Sequence, residues 1–403
     1  MENPEIQAAA ILLQETMPET AIITKENKEK VEKPKYKDYE NYAQVTYHKI
    51  DERLIAGNVI SNEDYSVAMN QKGQGVSFYK DIYINRFKPT DDYSQGIFFT
   101  FKNIKNKNIW SSNYQHNDNK ENQYQISFME DKLEQEMVEG NIKTKISTTI
   151  ASNDPVEIRR VVLENTGNDE ETIEISAYFE PVLSKKEQDY AHPAFNNLFL
   201  IMEFDEETGS IVIRRKNREK SDPTIYLATN FSTNSETIGD LEYEIDEEKF
   251  IGRGNIGIPQ MIKNSMPFSK RMGLVTEPIV AIKRTIKIKP QEEVSLNLIL
   301  AVGEEKQKVI ENVKKYKSNE SVKKEFELSK ARVEAESRYL RINAKEIVTY
   351  QKMLSYLIFD NPTKSARMQK LKLQPNYKQS ELWKYGISGD LPIILVKIRD
   401  VND

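Results

Sequence analysis

From about residue 43 to 302 the chain alternates short runs of apolar, often β-branched residues with clusters of Asn, Asp and Gly. The runs are DIYINRF (81–87), GIFFTF (96–101), NQYQISF (122–128), NIKTKISTTI (141–150), EIRRVVLENT (157–166) and ETIEISAYFE (171–180). NNLFLIMEF (196–204), GSIVIRR (209–215), PTIYLATNF (223–231), AIKRTIKIKP (281–290) and VSLNLILAV (294–302) continue the series. A period of two, as in Ile142, Thr144, Ile146, Thr148 and Ile150, turns one strand face to a core and leaves Lys143 and Lys145 in water. At least eleven strands without intervening helical periods predict a large antiparallel sandwich. The stretch ENTGNDEE (164–171) is expected to be a hairpin connection, with Gly167 at positive φ.

The flanks have a different texture. Residues 4–16, PEIQAAAILLQET, place Ile6, Ala9, Ala10, Leu13 and Met17 near one helical face, with Pro4 in the first turn. Residues 24–40, TKENKEKVEKPKYKDYE, alternate Lys and Glu with almost no aliphatic side chain, the composition of a linker that cannot bury enough surface to order itself. After Gly303 the period becomes helical. Val309, Val313 and Tyr316 mark one helix, and Val322, Phe326, Val333 and Leu340 a longer one. Ile347, Tyr350, Leu354, Leu357 and Ile358 mark a third helix, with Asn343 and Glu346 at capping-box spacing. The last segment, ELWKYGISGDLPIILVKIRD (381–400), reads as a Gly-punctuated loop feeding an apolar strand of the kind buried on both faces. That strand stops at Asp403 with nothing to cover it, so the sequence is expected to be cut within a structural unit.

Composition narrows the chemistry. The net charge of −5 over 403 residues, with both signs interspersed, provides no general attraction to nucleic acid or anionic lipid. There is no Cys, and His48, His116 and His192 lie far apart, which argues against a zinc enzyme. The longest apolar runs, Ala8 to Leu13 and Leu391 to Val396, are far below the ~18 residues of a membrane span, and the N-terminus lacks a signal pattern. The chain itself reads as soluble and cytoplasmic, without a cofactor.

Candidate site residues are few. Gly252, Gly254 and Gly257 in FIGRGNIGIP fit GxGxxG, with Glu277 twenty residues on, but no helix-forming segment follows and Pro259 intervenes. A constrained loop is the better reading. Ser388 in GISGD lacks the GxSxG spacing of a nucleophile elbow. DYAHPAFNNLF (189–199) holds His192 and Phe195 in a polar and aromatic loop. Such a loop could stack on a sugar and hydrogen-bond it, or His192 could simply fix the loop, and the second reading is favoured. Trp110 in NIWSSNYQH (108–116), and Tyr79 and Arg86 in GVSFYKDIYINRF (75–87), pose the same choice between sugar contact and core packing. Glycoside chemistry needs two carboxylates about 6 to 9 Å apart. Among 63 acidic residues sequence alone selects no pair.

Several stretches together resemble cyclic β-1,2-glucan synthases. They are PEIQAAAILLQETMP (4–18), SNEDYSVAMNQKGQGVSFYKDIYINRF (61–87), EIRRVVLENTGNDEETIEISAYFEPVL (157–183), AHPAFNNLFLIMEF (191–204), FIGRG (250–254), EPIVAIKRTIKIKPQE (277–292) and QSELWKYGISGDLPIILVKI (379–398). The similarity keeps its order along nearly the whole chain. It implies a mainly β fold with α flanks, a galactose-mutarotase-like β-supersandwich followed by a helical linker. By the same resemblance residues 1–20 are the closing helix of a glycoamylase-like module, 21–42 a charged linker, 43–303 the supersandwich, 304–362 the helical linker, and 363–403 the start of an incomplete unit. The parent proteins are long membrane proteins of the bacterial inner membrane that use UDP-glucose. No catalytic residue transfers, because the segments that carry them lie outside the matched part. Where the family has Gly-Gly-Gly-Tyr-Ser-Arg-Trp, this chain has Gly73, Gln74, Gly75, Val76, Ser77, Phe78 and Tyr79, which weakens a sugar-binding role for that loop.

The expected function is a non-catalytic module that holds β-1,2-glucan between neighbouring modules, with Tyr79, Arg86, Trp110, His192 and Phe195 as candidate contacts. Neither nucleic acid nor direct membrane contact is expected. The alternatives are a pure structural spacer and a residual hydrolase or phosphorylase activity.

Overall fold

The computed structural model describes residues 42–48, 50, 55–87, 96–117, 124–217, 223–359 and 378–394, and the backbone of 35–39. Two units divide the chain, one of residues 33–360 and one of residues 1–32 with 361–403. The proposed helix of residues 4–16 lies outside the described residues.

In the larger unit β1 (Lys35–Tyr39) and β2 (Tyr42–Tyr47) precede the meander β3 (Gly57–Ser61), β4 (Tyr65–Asn70), β5 (Gly75–Tyr79) and β6 (Ile82–Asn85). Next come β7 (Phe98–Asn103), β8 (Ile109–Ser111), a 3-10 turn at Tyr114–His116, β9 (Tyr124–Phe128), β10 (Lys132–Glu139), β11 (Ile142–Ile150) and β12 (Val156–Asn165). β13 (Glu171–Phe179) and β14 (Pro181–Lys185) lead into the short helices α1 (Lys186–Ala191) and α2 (Pro193–Asn197). β15 (Leu200–Asp205), β16 (Ser210–Arg215), β17 (Tyr226–Thr233) and β18 (Glu242–Asp246) follow, then α3 (Glu247–Ile251) and α4 (Gln260–Lys263). The long strands β19 (Pro278–Ile288) and β20 (Glu293–Gly303) close the sandwich, and α5 (Lys306–Tyr316), α6 (Asn319–Leu340) and α7 (Ala344–Ile358) pack outside it.

Every strand pair is antiparallel. A ten-stranded sheet, β1-β2-β9-β10-β11-β12-β20-β17-β16-β15, faces two five-stranded sheets, β18-β19-β13-β7-β8 and β14-β6-β5-β4-β3. Their inner faces share one core, which includes Ile146, Val161 and Leu298 from the large sheet, Phe99 and Phe101 from the second, and Tyr65 and Ile84 from the third. Each such fully buried aliphatic or aromatic side chain contributes about 1.5 to 3 kcal/mol relative to exposure. β20 explains its own unbroken apolar run. Leu296, Leu298, Leu300 and Val302 enter the main core, whereas Ile299 and Ala301 meet Val309, Ile310, Val313 and Tyr316 of α5 on the other face. α7 starts with the expected capping box between Asn343 and Glu346, and Ser355 Oγ accepts from the Gly57 amide at 2.9 Å.

All eleven runs read from the sequence contain strands, and β11 buries the predicted face. Several details differ. Residues 35–39, placed in the charged linker, form β1 and pair with β2 from Lys35↔Thr46 to Tyr39↔Tyr42. An edge strand draws its order from its partner's backbone, so low hydrophobicity does not prevent it. Residues 164–171 do not close a hairpin, because β12 pairs with β11 and β20 while β13 pairs with β7 and β19 in another sheet. Gly167 is not at positive φ. Its constraint is space: a Cβ there would lie 2.7 Å from Asn141 Nδ2. Short helices also interrupt the β pattern at 186–197, 247–251 and 260–263. Gly252 terminates α3 at φ 58°, ψ −129°, which makes the glycine-rich stretch a helix-ending turn.

In the smaller unit, α8 (Ser380–Trp383) is followed by a turn in which the Ser388 carbonyl accepts from Trp383 Nε1 at 3.2 Å and Gln379 Nε2 at 3.0 Å. The described part of the expected buried strand, 391–394, carries no strand pairing, and Leu391 is 79% exposed. The rest of that segment lies outside the described residues.

Candidate functional site

β8 is the last strand of its five-stranded sheet, and its Trp110 lies against Thr144 of β11 in the large sheet. A cleft of about 650 Å³ opens there. Trp110, Tyr114 and Tyr124 supply its aromatic wall, and Asn108, Asn117 and Glu139, with Lys263 and Asn264 at the end of α4, supply polar groups. A second hollow of about 340 Å³ shares Tyr124, Met137 and Val138 and adds His48, Gln125 and Glu136. The two together lie at the end of the β9–β10 pair where Tyr124 starts β9 and Met137 to Glu139 finish β10.

The floor of the cleft is fixed by side-chain amides. Asn117 Oδ1 accepts from the Ser111 amide at 2.8 Å, and its Nδ2 donates to the Ser111 and Asn113 carbonyls at 2.9 and 3.0 Å. Gln135 Nε2 donates to Tyr124 Oη at 3.1 Å and to the Ser112 carbonyl at 2.7 Å. Burial raises the Tyr124 phenol above its ordinary value, so the group stays a neutral hydroxyl. Tyr114 and Tyr124 lie 5.4 Å apart, tilted by 58°. Tyr114 is half-buried and presents the more accessible ring. Fixed amides, lysine ammonium groups and a carboxylate around aromatic rings can hydrogen-bond hydroxyls while a ring covers an apolar C–H face.

The five residues singled out from the sequence fall in three places. Trp110 lines the cleft but is only 5% exposed: it stacks on Phe101 at 5.4 Å and 15°, and its Nε1 donates to Thr144 Oγ1 at 3.2 Å. Its open face therefore belongs to the core, and only its rim reaches the cleft. Tyr79 is buried in the main core at 7% exposure, with Lys80 Nζ 4.9 Å from its ring centre.

Arg86, His192 and Phe195 come together around α1 and α2. Arg86 Nε and Nη2 donate to the Asp189 carboxylate at 3.0 and 2.8 Å, Nη1 to Glu180 Oε2 at 2.9 Å, and Nη2 also to Asn197 Oδ1 at 2.8 Å. This is a brace between β6 and the α1–α2 hairpin. Nearby, Glu247 is pushed up to about 7, chiefly by burial and then by the Glu180 and Glu277 carboxylates. His192 is the residue between α1 and α2, where its carbonyl accepts from the Asn196 amide at 3.0 Å. The expected loop is helical because Pro193 starts α2. Phe195 is 45% exposed and meets Phe199 edge-on at 5.1 Å.

Sequence reading missed Tyr114, Tyr124 and Asn117 as site residues. Tyr114 stood in the quoted NIWSSNYQH stretch, but Tyr124 reaches the cleft only through the pairing of β9 with β10. Among the described residues no three His, Asp or Glu side chains converge as metal ligands would, and no helix is long and apolar enough to cross a membrane.

Residues 40–319 match the family described as glycosyl hydrolase 94, supersandwich domain. The whole chain is 25% identical, over 405 aligned positions, to the cyclic beta-(1,2)-glucan synthase NdvB of Rhizobium meliloti (strain 1021), and spans 14% of that protein's length. Solved structures of similar fold include a bacterial glucoamylase complexed with acarbose, 8% identical, TM-score 0.42, covering 75% of this chain and 40% of that one. A putative kojibiose phosphorylase from the human microbiome is 9% identical, TM-score 0.39, covering 77% and 39%. A putative aldose 1-epimerase of Escherichia coli K12 is 11% identical, TM-score 0.34, covering 62% and 100%.

Proposed function

The chain belongs to the glycosyl hydrolase 94 supersandwich-domain family, and from that premise we propose that it is a glucan-holding module related to cyclic β-1,2-glucan synthases. It binds β-1,2-glucan without cleaving it and orients the glucan for neighbouring modules. The observation that carries this reading is the 650 Å³ cleft, where accessible Tyr114 stands among Asn108, Asn117, Lys263 and Asn264. Its size falls in the range of small-molecule sites, and its mixed donors, acceptors and rings suit a neutral polyhydroxyl ligand better than an ion.

A spacer role finds support of its own in Tyr190, Phe195 and Leu198, which are 48%, 45% and 60% exposed on and beside the α1–α2 hairpin and would suit contact with another module. Calorimetric titration with linear and cyclic β-1,2-glucans separates the two. Glucan holding predicts saturable heat that weakens by roughly 1 to 3 kcal/mol in Tyr114→Ala, by analogy with base stacking on aromatic side chains. No heat at millimolar glucan would leave only the spacer. Trp110→Ala is a poor test, since that ring supports the core.

A further inference from the structure

The same five-stranded sheet has a second free edge, at β18, and a separate pocket of about 380 Å³ lies there against β15–β17 of the large sheet. We propose that this pocket is a second saccharide subsite, in which Arg284 donates to sugar hydroxyls and the stacked pair Phe204 and Tyr243 forms the apolar wall. The proposal rests on the glucan-holding reading and extends it to a new place on the molecule.

Arg284 is the central observation. Its side chain is half-buried, and Nε donates to the Phe231 carbonyl at 3.1 Å. Among the described residues its two terminal nitrogens have no hydrogen-bond partner, and no carboxylate lies within 4.0 Å of the guanidinium. Burial lowers its pKa, and Asp240 offsets this only in part. A guanidinium that has lost part of its water and faces no carboxylate at contact distance retains donors for a ligand. Asn230, 1% exposed, fixes the 206–209 turn beside the pocket by donating to the Thr208 and Gly209 carbonyls at 2.9 and 2.8 Å.

The surroundings select the ligand class. Lys270 and Lys317 add donors, and Glu206, Glu207 and Asp240 add acceptors, so the pocket carries both signs in balance. An anion would gain from three cations but face three carboxylates, whereas neutral hydroxyls use both kinds of group. Phe204 and Tyr243 stack at 4.6 Å and 22°, and Phe204 is the more accessible of the two. Nothing in the residue pattern pointed here, because the pocket draws on four strands and four connecting segments that only the packing assembles.

The test uses the full chain in calorimetric titration with linear β-1,2-glucan oligosaccharides. Wild type is expected to bind at two sites per chain. Arg284→Met and Phe204→Leu should each remove one of them, and Tyr114→Ala the other. Melting curves confirm folding, and Arg284→Met, which removes an unpaired half-buried charge, should melt no lower than wild type. Binding at a single site, lost in Tyr114→Ala and unchanged in Arg284→Met and Phe204→Leu, would overturn this inference and leave the glucan-holding reading intact. No binding of any oligosaccharide would overturn both.

Discussion

Replacing Arg86 by Met should leave two buried carboxylates of the larger unit without their cation. The Arg86 side chain is 12% exposed, and those of Glu180 and Asp189 are 11% and 9% exposed. Four hydrogen bonds end on its guanidinium, from three acceptor residues. Met fills much of the aliphatic stem but leaves two carboxylates inside without their cation. Removing one partner of a buried pair costs about 3 to 5 kcal/mol, against a total stability for a domain of about 5 to 15 kcal/mol. The loss should depend on pH. A buried carboxylate without its cation is favoured in the protonated form, so the folded variant binds more protons than its unfolded chain. Its stability therefore rises as pH falls, and the gap to wild type narrows from pH 8 to pH 5. Glu247, which Arg86 holds down, adds to this slope when the guanidinium is gone. Urea unfolding at both pH values measures the gap, and Arg86→Met combined with Asp189→Asn and Glu180→Gln should regain most of the loss. A deficit below about 1 kcal/mol at pH 8, or a gap that widens in acid, would refute the brace and return Arg86 to the candidate sugar contacts.

Two further outcomes follow from other parts of the fold. Glu130 is pushed up to about 7, mainly by burial, with Asp131 and Glu334 adding to it and the Ala43 amide opposing. Because its folded value lies above the ordinary 4.5, its contribution is complete below about pH 4.5 and is lost as pH rises through 7. Glu130→Gln should accordingly flatten part of the decline in melting temperature between pH 5 and 8 and stabilise the protein at pH 8 by about 1 to 3 kcal/mol; an unchanged slope removes Glu130 as its source. Gly75→Ala would drive a Cβ into the Ala68 carbonyl of the neighbouring strand, whereas at Gly140, φ 55°, nothing lies within 4 Å of a Cβ. Gly75→Ala is expected to prevent folding or cost more than 3 kcal/mol, and Gly140→Ala about 1 kcal/mol from backbone strain alone; comparable melting temperatures would contradict this.

The β pattern was legible because alternation is a local property. β11 shows Ile142, Ile146 and Ile150 inward without knowledge of its neighbours, and the 3.6 period of α5 and the cap of α7 are equally local. Partner choice is not local. The connection at 164–171 has ordinary turn residues whether it joins two strands of one sheet or crosses between sheets, and only the pairing of β12 with β20 and of β13 with β19 decides. Exposure failed for the same reason. Tyr350 and Leu357 share the apolar stripe of α7 yet are each 51% exposed, and Trp110, attractive beside Ser and Asn, turns its face onto Phe101. His192 and Phe195 were found beside Arg86 because the hairpin that carries them docks by a salt bridge, which no spacing in the sequence encodes.

Both clefts have one geometric cause. Where the five-stranded sheet ends at its edge strands β8 and β18, inward side chains of the large sheet come near the surface. On the β8 side these are Tyr124 and Met137 of β9 and β10, and on the β18 side Phe204 of β15. Strands lie about 4.8 Å apart, so five of them separate the two sides by about 20 Å. Residues there are held by sheet pairing, yet they meet solvent beside the edge strand, which is where rigid side chains become available to a ligand. Pockets made this way combine turn residues with a few strand positions that read in the sequence as core. That is why Tyr124 and Phe204, two ordinary inward strand residues by pattern, stand at the openings while Trp110 and Tyr79, which looked more like ligand contacts, are packed in the core between the sheets.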